Sequence, residues 1–316
     1  MTQPTSIKIG ISSCLLGEKV RFDSGHKLNK YATEVLGGYF EFVPFCPEVS
    51  IGLTIPRAPI RLVDIDGDVR CVGVKDASID VTDALKAKAD EQVHWHQDLC
   101  GYILKHSSPS CGMERVKVYN KSMPIKNGVG IYAKQLLENF PNLPVEEEGR
   151  LEDPHLRENF IQRVFVYARW REMVEQGYTI GQLQKFHAQH KYIFMSHDQT
   201  LAKELGALLA QNVKDSLEEV AQQYVTAMMQ LLKKMASKRG HVNTLKHIQG
   251  YLKRALDSED KQELNDIIEQ YRQGLVPLIV PITLLRHHFR RNPDEYIDQS
   301  FYLSPHPSEL MLLNRI

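Results

Sequence analysis

The chain has no surplus of either charge. Its 39 Lys and Arg residues balance 39 Asp and Glu, so net charge gives no sign of a polyanion-binding protein and only local distribution can carry that argument. Long hydrophobic runs are absent too: the longest, Leu275 to Leu285, is too short to cross a bilayer and contains Pro277 and Pro281, so membrane insertion is not expected. The opening stretch, Met1-Thr2-Gln3-Pro4-Thr5-Ser6, has no basic region followed by an apolar core, so no secretory signal is read and the cytoplasm is the expected compartment. No internal repeat and no low-complexity segment is visible. Cysteines are few and odd in number, five in all, which in a reducing compartment suits metal or catalytic ligands better than disulfides.

What remains describes a globular protein in two parts. A length of 316 residues exceeds one ordinary core, and 42% hydrophobic with 25% charged residues is a folded composition. Up to about Glu148, short strands alternate with helical stretches. Strands are expected at Ile7–Ile11, Phe40–Phe45, Tyr102–Lys105 and Leu143–Glu146, with a hairpin over Ile60–Val74 turning at Asp66-Gly67. Helices are expected near Lys30–Leu36, Val81–Leu99 and Gly130–Glu138. This order predicts an α/β domain over residues 1–149, three-layered with a mostly parallel sheet. Beyond it, heptad-like apolar spacing over Asn159–Gly177, Leu201–Lys234, His241–Leu256 and Lys261–Gly274 predicts an all-helical domain over 150–316. The connector Glu147–Pro154 is short and lacks Gly/Ser texture, so the domains are expected to pack together.

Three cysteines, Cys14, Cys46 and Cys111, each stand just past a short β-branched or aromatic run. If those runs are parallel neighbours, the thiols converge at the carboxyl edge of the sheet, where open α/β folds bind ligands. Their surroundings are Ser12-Ser13-Cys14-Leu15-Leu16-Gly17, Cys46-Pro47-Glu48 and Ser108-Pro109-Ser110-Cys111-Gly112. Gly and Pro there let backbone N–H groups approach sulfur closely. Soft thiolates select zinc, copper(I) or iron–sulfur clusters, and with no histidine beside any of the three an iron–sulfur site competes with zinc. The alternative is three buried, inert thiols. Cys71 and Cys100 lack such loops and read as packing residues.

These motifs carry a resemblance. Ile9 to Asp23, Cys46 to Arg61, Ser108 to Gly112 and Gly128-Val129-Gly130 closely resemble the thiouracil desulfidase family. The second half resembles a family of unknown function through Phe186-His187-Ala188-Gln189-His190-Lys191-Tyr192, Asn243–Tyr251 and Pro277–Leu285. The fused arrangement is similar to bacterial desulfidases that act on 4-thiouridine in transfer RNA. The resemblance implies a [4Fe–4S] cluster held by Cys14, Cys46 and Cys111, its fourth iron open to the thiocarbonyl sulfur of a thiolated uracil that is converted to a carbonyl without net redox. Glu48 is then the expected general acid/base, against the alternative of a plain salt-bridge partner for Arg57 or Arg61. Ser108 and Ser110 either orient the pyrimidine and the departing sulfur or simply bond backbone. Arg21, Asp23, Arg57, Arg61 and Lys105 stand where a nucleotide's phosphates or a neighbouring carboxylate would be met. Glu146-Glu147-Glu148 either approaches the same edge or forms a solvated face.

In the helical half, Lys233, Lys234, Lys238, Arg239, His241, Lys246, Lys253 and Arg254 cluster in one stretch, and Arg286, His287, His288, Arg290 and Arg291 in another. Clustered cations suit an RNA-facing surface; ordinary exposed helix faces are the alternative. His187, His190 and His197 have no carboxylate at a metal-ligand offset, and packing, RNA contact or base stacking by Phe186 and Tyr192 is preferred to metal binding. The Val276–Leu285 run reads as a buried segment between helices. The expected partners are thus a thiolated tRNA or, failing that, a free thiopyrimidine nucleotide. A rival from another class is a non-catalytic RNA-binding protein stapled by the metal.

Overall fold

The computed structural model describes residues 6–120, 123–210, 216–310 and 312–314. Its contacts form two compact units that divide in sequence between Phe160 and Ile161. The first contains strands β1 (Lys8–Ser12), β2 (Glu41–Phe45), β3 (Ile60–Ile65), β4 (Asp68–Gly73), β5 (Gly101–Leu104), β6 (Val116–Tyr119), β7 (Ile125–Gly128) and β8 (Val145–Glu147). Its helices are α1 (Pro47–Ser50), α2 (Thr82–Glu91), α3 (Val93–His96) and α4 (Ile131–Asn139).

One sheet has the order β2-β1-β5-β8 and is parallel throughout. Its central strands β1 and β5 are buried almost end to end, which is why they read as near-continuous apolar runs rather than as alternation. Gly10 lies opposite Tyr102 across the β1–β5 ladder. A Cβ at position 10 would overlap the Tyr102 ring, so only glycine lets that buried ring lie against β1.

The expected hairpin is present as β3 and β4, turning at Asp66 and Gly67 with φ of +53° and +92°. Two left-handed residues in succession match the twist of a tight hairpin. The hairpin does not join the first sheet. It pairs with β6, which pairs with β7, in a second sheet of order β4-β3-β6-β7 and mixed direction. Leu62, Cys71, Val81, Leu85, Val116, Val118 and Ile131 fill its core face. The expected helix over Lys30–Leu36 is instead a single wide turn, Tyr31–Val35, followed by a tight one, Leu36–Gly38. The helix expected over Val81–Leu99 is broken at Gln92 into α2 and α3.

From Pro154 on, the chain is helical: α5 (Pro154–Glu175), α6 (Ile180–His197), α7 (Gln199–Ala210), α8 (Leu217–Lys233), α9 (Lys238–Gln249), α10 (Ser258–Gln273), α11 (Ile279–Arg291) and α12 (Glu295–Asp298). Reciprocal side-chain and backbone bonds cap α6 through Thr179 and Gln182, and α8 through Ser216 and Glu219, satisfying amides that a helix start leaves without partners. The stretch Leu201–Lys234 therefore holds two helices, with residues 211–215 outside the described set. The Val276–Leu285 run is not an irregular segment: α11 begins inside it. Pro281 falls in the first turn of α11, where a missing N–H costs no intrahelical bond. No helix among the described residues is long and apolar enough to cross a membrane.

Aromatic rings dominate the core of the second unit. Trp170, Phe186 and Tyr224 pack on one another, and His190 stacks on Phe186 at 4.1 Å between ring centres. Phe186 and Tyr192 are buried, so neither is offered to a base; the stacking role is overturned by their place in the core. His190 and His197 are buried and His187 half-buried, each bonded to a protein group: His187 to the Tyr224 hydroxyl, His190 to the Phe186 carbonyl, and His197 to Gln162 and the Lys234 carbonyl. Packing is their role.

Burial pushes His187, His197 and His306 down to about 4 and His241 to about 3, and holds His190 well below its usual range. Their folded pKa values lie below the unfolded value, so between these pH values and about 6.5 only the unfolded chain takes up the protons. The stability these neutral rings contribute is present above about pH 6.5 and is lost as pH falls toward 4. The helical signal is therefore expected to melt at markedly lower denaturant near pH 5 than near pH 7.5, a loss on the order of several kcal/mol. An unchanged urea midpoint by circular dichroism would contradict this account.

Candidate active site

The three cysteines stand at three carboxyl ends of the parallel sheet. β1 runs into a tight turn, Ser13–Leu16, which carries Cys14; Gly17 closes it with φ +93°. β2 ends at Phe45, and Cys46 follows as the residue that opens α1, with Pro47 in the first helical position, where its fixed φ is already helical. β5 is followed by the Ser108–Gly112 loop, which folds back on itself through a 2.8 Å bond from the Gly112 amide to the Ser108 carbonyl.

That loop is clamped to the start of α4. The Ile131 amide donates to the Pro109 carbonyl at 3.0 Å and the Ala133 amide to the Ser110 carbonyl at 3.1 Å, so orphan helix amides are spent on positioning Cys111. A Cβ on Gly130 would stand 2.6 Å from the Ser110 carbonyl group. Glycine is required there for the loop to approach, which gives the Gly128-Val129-Gly130 motif a physical reason.

Cys14, Cys46 and Cys111 line one cavity of about 540 Å³, together with Glu48, Ser108, Ser110, Arg21, Arg57 and Lys105. Burial pushes the Cys14 thiol up to about 11, with Cys46 adding to the rise and Arg21 and Lys105 opposing it. Burial also raises Cys46 and Cys111; Cys46 and Glu48 push Cys111 further, while the Ser110 and Ser12 hydroxyls pull it back. Cys14 and Cys111 both feel Cys46, which places the three in one electrostatic neighbourhood. Among the described residues, no three His, Cys, Asp or Glu side chains are grouped to hold a single metal ion.

Glu48 is held at both carboxylate oxygens. Its Oε2 accepts from Arg57 Nε at 3.0 Å and Nη2 at 2.7 Å, and its Oε1 accepts from the Ser110 hydroxyl at 2.6 Å. Arg57 is pinned in turn by the Val20 and Thr54 carbonyls at 3.0 and 3.2 Å. The serines form a directed chain. Ser108 Oγ accepts the amides of Ser110 and Cys111 at 3.3 and 3.1 Å, so its own proton points to Ser110 Oγ, 2.9 Å away. Ser110 Oγ then donates to Glu48 and lies 3.6 Å from Cys111 Sγ. Both readings of Glu48 meet here: it is the partner of Arg57 and it sits in the cysteine cavity.

The remaining candidates separate. The Lys105 ammonium is held by Glu148 Oε1 at 2.5 Å and His106 Nδ1 at 2.9 Å, at the cavity wall. Arg21 lines the cavity; Asp23 does not, and stands half exposed, 3.6 Å from Arg21. Arg61 is absent from this cavity and lines an adjoining one. The three consecutive glutamates are not a solvated face. Glu146, Glu147 and Glu148 are all buried: Glu146 accepts from Arg150 at 2.6 Å, Glu147 from the Met113 amide at 2.8 Å, and Glu148 holds Lys105 and the His106 amide. Only Glu148 reaches the cysteine cavity. Cys71 is buried in the core of the second sheet and Cys100 is buried just before β5, both outside the cavity lining.

Residues 9–148 match the family described as 2-thiouracil desulfurase, and residues 191–307 match a family of unknown function, DUF1722. The uncharacterized protein YbgA of Escherichia coli K12 is 30% identical over 151 residues, which is 48% of this chain and 89% of YbgA. Among solved structures, a [4Fe–4S]-dependent thiouracil desulfidase, TudS, is 29% identical, with 47% of this chain and 95% of that one covered and a TM-score of 0.38.

Proposed function

Because the chain belongs to the 2-thiouracil desulfurase family through residues 9–148, with a DUF1722 domain following at 191–307, we propose that it replaces the thiocarbonyl sulfur of 4-thiouridine in tRNA by oxygen. In this reading residues 1–149 perform the chemistry and residues 150–316 recruit the RNA. The observation that carries it is the Glu48 network: a carboxylate fixed by Arg57 and joined through Ser110 to Cys111, inside a cavity that all three cysteines line.

The donor set fits a [4Fe–4S] cluster. Thiolates are the ligands such clusters take, and each cysteine of a cluster binds its own iron, a looser spacing demand than three ligands on one ion. Loading must strip protons from thiols that burial holds neutral, and the cations Arg21, Arg57 and Lys105 around the cavity favour that loss. When bound, the cluster supplies a Lewis-acidic iron that polarises a C=S bond.

The chain's own residues supply the rest. Arg57 occupies Glu48 Oε2 with two N–H bonds, leaving Oε1 as the oxygen that takes a proton from an attacking water. Ser110 Oγ, bonded to that same Oε1 and next to Cys111 Sγ, can turn its proton toward a departing sulfur. Exchange of sulfur for oxygen by water leaves no electrons to account for. In the second unit Lys238, Arg239, Lys246, Lys253 and Arg254 are exposed, as are Arg290 and Arg291, and these cations support RNA recruitment. His241 and His288 leave that set because both are buried. Five free cysteines suit the reducing cytoplasm.

The decisive experiment reconstitutes the protein without oxygen and offers thiolated tRNA and 4-thiouridine monophosphate without an electron donor. The expected result is sulfide release matched by uridine formation, faster on tRNA. Faster turnover of the monophosphate would reassign the substrate to free thiopyrimidine nucleotides; no sulfide from either would refute the enzyme.

A further inference from the structure

A second cavity, of about 760 Å³, adjoins the cysteine cavity, and the two share Ile60, His106, Ser107, Pro109 and Glu152 in their walls. Its floor is the outer face of the mixed sheet. In the β3–β6 ladder Leu62 pairs with Val118 and Val63 with Tyr119, and across β6–β7 Lys117 pairs with Lys126. Leu62 and Val118 point into the core. Strand alternation therefore turns Arg61, Lys117, Tyr119 and Lys126 to the other face, where all four line the cavity.

This face carries lysines that have no ion-pair partner among the described residues. Lys117 and Lys126 stand directly opposite each other, an arrangement that costs stability, and among the described residues neither forms an ion pair. The Arg61 guanidinium lies over the Tyr119 ring at 5.1 Å, and its buried Nε has no hydrogen-bond partner among the described residues. Two of the carboxylates nearby are already engaged: Glu114 with Arg150 at 2.6 Å, and Glu147 with the Met113 amide. Glu152 is the remaining acid of the wall. Unpaired cations around an aromatic ring are what a phosphate next to a base requires.

We infer that this cavity is a phosphate-binding subsite, taking the phosphate ester of the same pyrimidine nucleotide whose base enters the cysteine cavity. The inference rests on the desulfidase reading for the identity of that base alone. Arg61 offers N–H donors held in place by Tyr119, and Lys117 and Lys126 add mobile point charges. The phosphate is either the monoester of a free nucleotide or a diester of an RNA chain, and both present the same oxygens.

The test reads binding, not sulfide, so failure of the enzymatic reading leaves its outcome intact. The full chain is titrated with uridine, uridine monophosphate and a labelled single-stranded RNA, none of them thiolated, over a range of salt. The wild-type protein is expected to bind the phosphorylated ligands more tightly than uridine. The double variant Lys117→Gln with Lys126→Gln should lose about tenfold in that preference, keep its uridine affinity, and flatten the salt dependence of RNA binding by about 0.7 in logarithmic slope per lost contact. Arg61→Gln should act in the same direction. A loss seen with the monophosphate assigns a monoester and a loss confined to RNA assigns a backbone diester; either supports the subsite. Unchanged affinities and slope overturn it, as does an equal loss for uridine, which would mark a structural role. Glutamine keeps most of each lysine's stem on the strand, and an unchanged melting temperature establishes that the double variant is folded.

Discussion

Changing any one of Cys14, Cys46 and Cys111 to alanine is expected to abolish the broad visible absorbance of the reconstituted protein and lower sulfide release by at least about a thousandfold, the several kcal/mol that a Lewis acid contributes. The three positions are not interchangeable with the other two cysteines. Each sits on a loop at a carboxyl end of the parallel sheet, and all three face one cavity. Cys71 is fully buried among Leu62, Leu85 and Val118, and its amide donates to the Thr82 hydroxyl at 2.7 Å. Cys71→Ala should therefore remove a sulfur from a packed core, costing about 1–2 kcal/mol of stability while absorbance and turnover persist. Cys100→Ala should behave likewise. The set is checked by absorbance, iron content and urea midpoint measured on all five variants. Full absorbance in Cys111→Ala would break the assignment, and so would loss of absorbance in Cys71→Ala.

The legible and illegible parts of this chain divide by the range of the interactions that fix them. β1 and β5 are read from sequence because they are central strands, whose burial on both faces leaves a short apolar run; the cysteines follow directly from where those runs stop. β7, Ile125-Lys126-Asn127-Gly128, has three exposed residues and no apolar rhythm, so nothing local marks it as a strand. Its pairing with β6 is what makes it one, and that same pairing puts Lys126 opposite Lys117. Glu148 is hidden for a related reason. Three carboxylates in a row read as solvated unless their partners are known, and those of Glu148, Lys105 and His106, lie across the β5–β8 ladder, in which Leu104 pairs with Glu147. Phe186 and Tyr192 are residue types that suit a base-stacking surface and a core equally; Phe186 packs on Trp170 and Tyr224 and Tyr192 on Tyr296, inside the core. α11 shows the limit of proline as a breaker, since only position within the helix decides whether it breaks.

Glu48→Gln is expected to keep the cluster absorbance and lose turnover by about 10²–10⁴-fold, the range for removing a positioned acid/base. The substitution preserves side-chain length, so the effect comes from charge and proton direction. A neutral amide placed between Arg57 and Ser110 keeps an acceptor for the guanidinium through its carbonyl, and its NH₂ group must then face Ser110 Oγ. Ser110 would accept where it now donates, turning its own proton toward Cys111 Sγ, 3.6 Å away. The variant thus loses the oxygen proposed to take the proton and reverses the chain beginning at Ser108. Arg57→Lys separates positioning from charge. Lysine keeps the cation but cannot place two N–H bonds on Oε2 while also meeting the Val20 and Thr54 carbonyls. Glu48 would then move without being neutralised, and a loss of about 10–100-fold follows from misplacing a reacting group. Steady-state sulfide release on one thiolated substrate, with absorbance recorded on the same samples, distinguishes the two effects. If Glu48→Gln turns over within about threefold of the unchanged protein while loaded with cluster, the proton must move by another group, and Glu148, which also lines the cavity, is the next carboxylate to test.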